Sequence, residues 1–474
     1  MHTHRWLYID QTSTLNRIAR VALSLLTDDR IKGGITHMAA EEPDVLILGG
    51  GLAGVACARH LGQQGLAVTL VDRNDYNQFQ PLLYQVATSQ LPAEDIARPL
   101  RAITADLPNV DVVVADVESA NLSDRTLTLR DGRTMSGDHL VIAAGARPNF
   151  FGVPGAAEHS FPLYSVADAE RLRLHTQALF NRPDEDGALD IVVVGGGPTG
   201  VETAGALAEL GRALRVTGQL PDRGSVHIVD HGPALLAPFS DKAHEYARKK
   251  LTAENVVVHS GTGVTRVRED GVDLNDGTAI VARTVIWAGG ESAASIASDA
   301  GSATGRGGRI DVRPDLTVEG FTGVYAVGDV ANVPDGDGTT GAALPQLGSV
   351  AQQSGTWAAR NIVLDRQGKQ RKPFRYVDKG IMAMIGRNAA IAEVGKHRHQ
   401  VEGPAAFAAW LGVHAMLVSG VHSKIDTFLT WAWDYFERDH SAMLEFYSAP
   451  RRIVWAHDES ERPHISLDRA QQTD

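Results

Sequence analysis

The sequence contains very little cysteine: Cys57 is the only one among 474 residues. One thiol forms neither a C-x-x-C pair nor a disulfide within the chain. Cys57 falls in a helix predicted directly after a glycine-rich turn, where a free cysteine packs as a small hydrophobic residue. Chemistry that depends on a pair of thiols in one chain is therefore excluded.

A basic surface and a metal-binding pattern are also missing. Lys and Arg number 45 against 57 Asp and Glu, which gives a net charge of −12. Because nucleic-acid phosphates require a basic face, no nucleic-acid partner is expected. The 18 histidines are scattered without a ligand spacing such as H-E-x-x-H, so no metal is expected.

No apolar run reaches the roughly 18 residues that would span a bilayer. The patch at residues 21–26 is short and runs into Thr27-Asp28-Asp29, unlike a secretory signal. Residues 1–43 are interpreted as a tail. Met38 is a candidate for the true start codon, which the intact mass of the native protein tests.

What is abundant is glycine, and one glycine signature occurs twice. An apolar strand runs into Gly49-Gly50-Gly51-Leu52-Ala53-Gly54, and a second runs into Gly195-Gly196-Gly197-Pro198-Thr199-Gly200. In G-x-G-x-x-G the first glycine allows the tight turn, the second admits a pyrophosphate, and the third lets helix and strand pack closely. The helix N-terminus then favours the phosphates.

Each signature is followed by the same further elements. An apolar strand ends in Asp72 or Asp230, an Asp-Gly hairpin follows at 131–132 or 276–277, and an apolar strand closes at Gly145 or Gly289. The first and last glycines are 96 positions apart in one copy and 94 in the other. The sequence therefore predicts two dinucleotide-binding units, whose strand-end aspartates bind ribose.

The second unit is predicted to prefer NADH over NADPH. Asp230 is followed by His231-Gly232-Pro233, without the arginine that a 2′-phosphate normally requires. Arg223, just before that strand, is the one nearby cation that weakens this prediction.

This layout resembles the two-dinucleotide flavoprotein reductases, in which the first unit holds FAD and the inserted second unit holds NAD(P)H. The segment 323–329, an apolar strand that ends in Gly328-Asp329, resembles their second FAD motif. The resemblance implies an α/β fold with two Rossmann-like domains, the NADH domain inserted in a split FAD domain, plus a C-terminal interface or membrane-facing region.

Four stretches are similar to one branch, the type II NADH dehydrogenases, which are NADH:quinone oxidoreductases on a membrane leaflet. They are 79–87 (FQPLLYQVA), 200–202, 376–380, and the pattern from 407–411 to 431–433. The resemblance covers about residues 43 to 452.

The resemblance implies roles for individual residues. Glu202, expected in the first turn of the second unit's helix, corresponds to an acid near nicotinamide and flavin. Gln353 corresponds to the second Gln of the A-Q-x-x-x-Q quinone pattern, whose first Gln is replaced by Ser349, and Lys379 to a lysine near the flavin–quinone junction. Further cofactor contacts are expected from Gly49, Gly51, Leu52, Ala53, Gly54, Asp72, Arg73, Gln80, Pro81, Val117, Ala144, Gly145, Gly195, Gly197, Pro198, Thr199, Gly200, Asp230, Gly289, Gly328, Asp329 and Ala351.

The expected organisation follows these motifs. It consists of an N-terminal tail (1–43), a first FAD segment (44–154), an NADH domain (155–291), a second FAD segment (292–365), a quinone- and membrane-facing region (366–450) and a tail (451–474). The apolar residues 405–421 and the aromatic cluster within 427–436 favour peripheral membrane association or homodimer contacts. The expected location is the cytoplasmic face of the cell membrane, or the cytoplasm.

Two other functions fit the same motifs. One is a soluble reductase that passes electrons to a ferredoxin-like protein, which would need a basic docking patch. The other is a non-catalytic flavoprotein that senses NADH.

Overall fold

The computed structural model describes residues 43–299, 301–336, 342–395 and 397–417. The N-terminal tail, most of the loop at 336–341 and the aromatic cluster at 427–436 lie outside these residues.

The first part of the chain consists of short strands and a few helices. Its strands are β1 (Val45–Leu48), β2 (Val68–Asp72), β3 (Tyr76–Gln78), β4 (Ala97–Pro99), β5 (Val110–Val114), β6 (Val117–Asn121), β7 (Thr126–Leu129), β8 (Thr134–Ser136), β9 (His139–Ile142) and β10 (Ala146–Pro148). Its helices are α1 (Leu52–Gln63), α2 (Leu83–Ala87), α3 (Ala93–Ile96) and α4 (Leu100–Ile103).

The middle part has a similar sequence of elements. Its strands are β11 (Phe161–Pro162), β12 (Ile191–Val194), β13 (Val226–Asp230), β14 (Val256–Ser260), β15 (Val264–Arg268), β16 (Gly271–Leu274), β17 (Ala279–Val281), β18 (Thr284–Trp287) and β19 (Glu291–Ala293). Its helices are α5 (Ala156–His159), α6 (Val166–Phe180), α7 (Pro198–Val216), α8 (Asp241–Ala253) and α9 (Ile296–Asp299).

The last described part completes the first sheet and adds a small one. Its strands are β20 (Ile310–Asp311), β21 (Val324–Ala326), β22 (Ala331–Asn332), β23 (Ile381–Gly386), β24 (Ala389–Val394) and β25 (His399–Gly403). Its helices are α10 (Gly348–Arg366) and α11 (Pro404–Leu417).

Two parallel five-stranded sheets organise the fold. The first has the order β21-β9-β1-β2-β5 and the second β11-β18-β12-β13-β14. Strands β1 and β12 are buried along their whole length, as expected for parallel strands that are covered on both faces. The repeat that the sequence predicted is therefore present as two sheets of related topology, and both Asp-Gly pairs form their hairpins, β7–β8 and β16–β17.

The second sheet is inserted in the first. Strand β21 pairs with β9 although the whole second sheet lies between them in the chain. The outgoing strand β10 and the returning strand β19 are antiparallel neighbours, with Ala146 opposite Ala293. The α/β fold with one Rossmann-like unit inserted in another is therefore confirmed.

A three-stranded antiparallel sheet, β23-β24-β25, packs against α7. Gly205 makes the close approach possible, because any side chain there would collide with the Ile385 carbonyl oxygen. Helix α11 follows β25 and covers this sheet. The last described region is thus attached directly to the helix that begins at the second glycine signature.

Cys57 lies in α1 and is fully buried in the core of the first unit. Burial raises the pKa of its thiol well above the ordinary value. The packing role predicted from the sequence is confirmed, since a buried thiol of this kind is not a reactive thiolate.

Candidate functional site: two glycine turns and a buried glutamate

The first glycine signature forms the predicted turn between β1 and α1. Gly49 has φ +108°, and a side chain there would collide with the Ala143 carbonyl oxygen. Gly54 packs so closely that a Cβ would strike the Gly49 carbonyl. Around Gly51, by contrast, the space is open, and α1 has no side-chain cap and no acid in its first turn. The helix N-terminus is thus free to receive an anion.

The second signature repeats this geometry between β12 and α7. Gly195 has φ +112° and abuts the Ala288 carbonyl, Gly200 packs on Gly195, and the space around Gly197 is open. Helix α7 starts at Pro198 without a side-chain cap. We call the open spaces at Gly51 and Gly197, each in front of a helix N-terminus, the two glycine cradles. Each cradle has room for the pyrophosphate of a dinucleotide.

The two strand-end aspartates hold these turns. Asp72 accepts the Gly50 N–H at 2.6 Å and the Asn74 N–H at 2.7 Å. Asp230 accepts the Gly196 N–H at 2.5 Å and the Gly232 N–H at 2.6 Å. Since each carboxylate oxygen has a second acceptor position, ribose hydroxyls remain possible partners.

Several predicted contacts of the first cofactor meet where α1 faces the second FAD motif. A Cβ on Gly328 would lie 3.0 Å from the Ala53 Cβ and 3.5 Å from the Ala351 Cβ. The Gly328 N–H donates to Ser354 Oγ at 3.1 Å. These residues come from three distant parts of the sequence and form one wall beside the first cradle.

Asp329 lies in this wall with two charged neighbours, Arg309 and Glu291, which the sequence analysis did not predict. Burial raises the pKa of Asp329 to about 6, although Arg309 opposes the shift. Desolvation and, next, the charge of Asp329 raise the pKa of Glu291 to about 7, although Glu291 as a whole residue is exposed. Glu291 directly follows the glycine pair that closes the second unit, which was the available signal.

Tyr164 is a further residue that sequence reasoning missed. Its hydroxyl accepts the Ala146 N–H at 2.8 Å and bonds to the Gln80 side chain, and a Cβ on Gly145 would lie 3.0 Å from it. Burial raises its pKa to about 12. The predicted residues Gln80 and Gly145 are thus joined through Tyr164, which belongs to neither glycine signature.

The other predicted first-unit contacts are more dispersed. Pro81 lies in a 3₁₀ turn before α2, and Val117 begins β6. Arg73 is exposed, whereas Ala144 is half-buried.

Glu202 is the fifth residue of α7, so the prediction that it lies in the first turn of this helix was wrong. Its side chain is directed to β23, where Oε1 accepts the Met384 N–H at 3.1 Å. Burial raises its pKa from 4.5 to about 8, and the hydrogen bond from the Met384 N–H limits the rise. A helix-dipole role does not explain a carboxyl group so far inside the structure.

Glu202 belongs to a set of carboxylates that attach the small sheet. On the same face of α7, Glu209 accepts the Arg387 N–H, and burial raises its pKa. Glu393 of β24 accepts the Ser240 N–H at 2.8 Å at the start of α8. The contacts with β23 and β24 therefore join the second unit to the C-terminal part of the described chain.

Among the described residues, no hydrogen bond joins Gln353 or Lys379 to Glu202. The Gln353 amide both donates to the Val377 carbonyl at 3.1 Å and accepts the Val377 N–H at 3.0 Å. Ser349, one turn earlier, shares a 2.8 Å hydrogen bond with the Tyr376 hydroxyl. Lys379 is exposed on the same extended segment. In this structure Gln353 holds that segment against α10.

Comparisons with known proteins agree with this geometry. Residues 43–355 match the family model described as pyridine nucleotide-disulphide oxidoreductase. Two Mycobacterium tuberculosis relatives are each 32% identical: the type II NADH:quinone oxidoreductase Ndh, over 82% of this chain and 87% of the relative, and NdhA, over 84% and 88%. The structure of NDH2 from Plasmodium falciparum in complex with NADH is similar in fold, with a TM-score of 0.75 and 17% identity, over 84% of this chain and 100% of the other.

The two turns of matching geometry, the inserted second sheet and these relatives lead to one assignment. The chain belongs to the pyridine nucleotide-disulphide oxidoreductase family and, within it, to the type II NADH:quinone oxidoreductases.

Proposed function

We propose that this chain is an FAD-dependent enzyme that oxidises NADH and reduces a membrane quinone without pumping protons. NADH, one proton and quinone give NAD⁺ and quinol. The observation that carries the proposal is the pair of open glycine cradles, at Gly51 and Gly197, on two sheets joined by adjacent crossing strands. Two different dinucleotides fit this arrangement.

The first cradle, Asp72 and the wall at Gly328 and Asp329 would hold FAD. The second cradle and Asp230 would hold NADH. When bound, FAD accepts electrons from the nicotinamide and passes them to the quinone. The protein's own part is to bind both molecules, keep water out and control protons, and the single buried cysteine is consistent with a transfer that does not use thiols.

The surroundings of Asp230 support NADH as the donor. Arg223, the cation that weakens this preference in the sequence, pairs with Asp184 at 2.6 Å. It lies before the start of β13, whereas Asp230 is at its end. The carboxylate itself repels a 2′-phosphate, so NADPH should bind more weakly.

Glu202 is proposed to handle a proton or orient the nicotinamide, since a carboxyl group with a pKa near 8 exchanges a proton close to neutral pH. Gln353 and Lys379 are proposed to border the quinone. Because both polar ends of the Gln353 amide bind Val377, Gln353→Ala should loosen the segment that carries Lys379 and raise the KM for quinone more than that for NADH.

Peripheral association with the cytoplasmic face of the membrane is proposed for the C-terminal region. In the described ranges, no helix combines the length and hydropathy needed to cross a bilayer. Helix α11 nevertheless exposes apolar residues, with Val413 at 41% and Leu417 at 44%. Flotation with liposomes tests the association, and sedimentation in detergent tests a homodimer.

The experiment for the activity uses the purified full-length chain. A yellow preparation with flavin absorbance should oxidise NADH rapidly with a soluble quinone and more slowly with oxygen. Fast transfer to a ferredoxin with little quinone reduction would instead support a soluble protein reductase. A stable flavin–NADH complex without turnover would support a sensor. A colourless protein that does not take up FAD would refute the proposal.

A further inference from the structure

Gln78, the last residue of β3, connects the first unit to the early part of the second. Its amide nitrogen donates to the Tyr164 carbonyl at 2.9 Å, and its amide oxygen accepts the Val166 N–H at 3.0 Å. One side chain therefore uses both of its polar ends on a segment that lies 86 to 88 positions later in the chain. It holds the backbone of that segment through a donor and an acceptor, as a neighbouring strand would.

The segment that Gln78 holds leads directly into α6, whose start is fixed as well. Val166 is the first residue of α6, and a capping box precedes it. In this box the Ser165 hydroxyl accepts the Asp168 N–H at 3.1 Å, and the Asp168 carboxylate accepts the Ser165 N–H at 3.0 Å. The backbone of Tyr164 is therefore held between a capped helix and the Gln78 amide.

The side chain of Tyr164 reaches back to the first unit. Its hydroxyl accepts the Ala146 N–H at 2.8 Å, and a Cβ on Gly145 would lie 3.0 Å from it. Ala146 begins β10 opposite Ala293 of β19, so this hydrogen bond lies where the chain crosses between the two units. Because Gly145 is an expected contact of FAD, the Tyr164 hydroxyl stands beside the expected FAD site.

The residue before Gln78 holds another part of the same site. Asn77 is buried, and its amide nitrogen donates to the Gly50 carbonyl at 2.8 Å, inside the first glycine signature. Successive side chains of a strand point to opposite sides, so Asn77 can hold the glycine turn while Gln78 holds the second unit. Strand β3 thus connects the first cradle with the start of α6 and, through Tyr164, with the crossing strands.

We propose that Gln78 is a positioning residue, which holds the 164–166 segment so that the Tyr164 hydroxyl stays on the Gly145–Ala146 backbone beside the FAD site. Three hydrogen bonds form a continuous path from β3 to β10. The inference rests on the part of the proposed function that places FAD at the first cradle and on no step of quinone reduction. Loss of the Gln78 amide should release Tyr164 and weaken FAD binding.

The first test measures amide hydrogen exchange in the full-length protein by mass spectrometry with residue-level fragmentation. Gln78→Met keeps the unbranched side chain but removes both hydrogen bonds, so the Val166 amide should exchange faster. The informative amide is that of Ala146, because its acceptor is Tyr164 and not Gln78. It should exchange about tenfold faster once Tyr164 is released. Unchanged exchange at Ala146 beside faster exchange at Val166 would overturn the proposal.

The matched control is Asn109→Leu. Asn109 also forms two hydrogen bonds from its side chain to the backbone, to the Gly62 carbonyl at 3.0 Å and to the Leu66 carbonyl at 2.6 Å, but both lie within the first unit. This variant should lose a similar amount of stability and leave exchange at Ala146 unchanged. An equal increase at Ala146 in the control would show general loosening of the fold and refute the role of Gln78.

Gln78→Glu supplies a milder variant for the case in which Gln78→Met does not fold. Its carboxylate still accepts the Val166 N–H but has no hydrogen for the Tyr164 carbonyl. Exchange at Ala146 should therefore rise above that of the wild type by less than tenfold. Exchange equal to that of the wild type in this variant would also overturn the proposal.

The second test is a double-mutant cycle on FAD retention, measured as the flavin fluorescence that appears when the full-length flavoprotein is diluted. Gln78→Met and Tyr164→Phe should each weaken FAD binding about tenfold. Because Gln78 acts through Tyr164, the double variant should bind FAD no more weakly than Tyr164→Phe alone. Effects that multiply to about a hundredfold, or unchanged FAD retention in Gln78→Met, would contradict the proposal.

These tests fail separately from the test of the proposed function. Normal quinone reduction together with unchanged FAD retention in Gln78→Met would leave the proposed function and refute the role of Gln78. A wild type that binds FAD but does not reduce quinone, with weaker FAD retention and faster exchange at Ala146 in Gln78→Met, would leave the role of Gln78 and refute the proposed function.

Discussion

Replacement of Glu202 by glutamine should remove a large part of the pH dependence of stability. Burial raises the pKa of Glu202 from 4.5 to about 8 in the folded chain. Between these two values the folded state keeps a proton that the unfolded state releases. Stability therefore falls as the pH rises through this window, by ~1.4 kcal/mol per pH unit.

Integrated over the whole window, the loss amounts to ~5 kcal/mol. Glutamine has nearly the same shape and its carbonyl oxygen accepts the Met384 N–H, but it does not titrate. The buried amide NH₂ of the variant replaces a carboxyl oxygen, which changes its stability by an amount that does not depend on pH. Relative to the wild type, Glu202→Gln should therefore become progressively more stable from about pH 5 to about pH 8, and the difference should level off at higher pH.

Urea unfolding at a series of pH values measures this difference, followed by circular dichroism and tryptophan fluorescence. The control is Glu118→Gln, which removes the same charge from an exposed position in β6. Stability curves of Glu202→Gln and wild type that stay parallel across this pH range would refute the reasoning that the carboxyl group is held protonated inside the fold.

The other predictions concern the cradles, the cosubstrate and the cysteine. Gly51→Ala should fold with a loss of about 1 kcal/mol but purify with little flavin, whereas Gly49→Ala, at φ +108°, should fail to accumulate; absorbance spectra and unfolding midpoints distinguish the two outcomes. His231→Arg should raise kcat/KM for NADPH by about tenfold, since this side chain is 91% exposed next to Asp230; an unchanged NADH preference would show that the 2′-phosphate lies elsewhere. Native protein treated with iodoacetamide should keep its activity and its mass, because Cys57 is buried; rapid inactivation with Cys57 modified would contradict this.

The sequence was most informative where backbone geometry permits only glycine. Gly49 and Gly195 adopt left-handed φ values against neighbouring carbonyl groups, which is why their spacing predicted both turns and the order of the strands around them. The strand-end aspartates were identifiable for the same reason, since their position relative to the turn is fixed by the strand. The sequence also placed Cys57 correctly, because its helix follows from the first turn.

The residues missed by the sequence meet only through tertiary contacts. Tyr164 reaches Gln80 and Gly145, Glu291 lies beside Asp329 on the crossing strand, and Met384 of β23 bonds to Glu202. The burial of Glu202 was also not predictable, because the sequence does not reveal which side of α7 is covered by a later sheet.

The amino-acid sequence by itself determined two nucleotide-binding turns, the α/β class and the exclusion of thiol-pair chemistry, because local backbone sterics and composition do not depend on distant contacts. Only the tertiary structure decided which carboxyl groups are buried and therefore keep their protons near neutral pH. Desolvation depends on what packs against a group, and for Glu202 the covering residues lie about two hundred positions away in the chain.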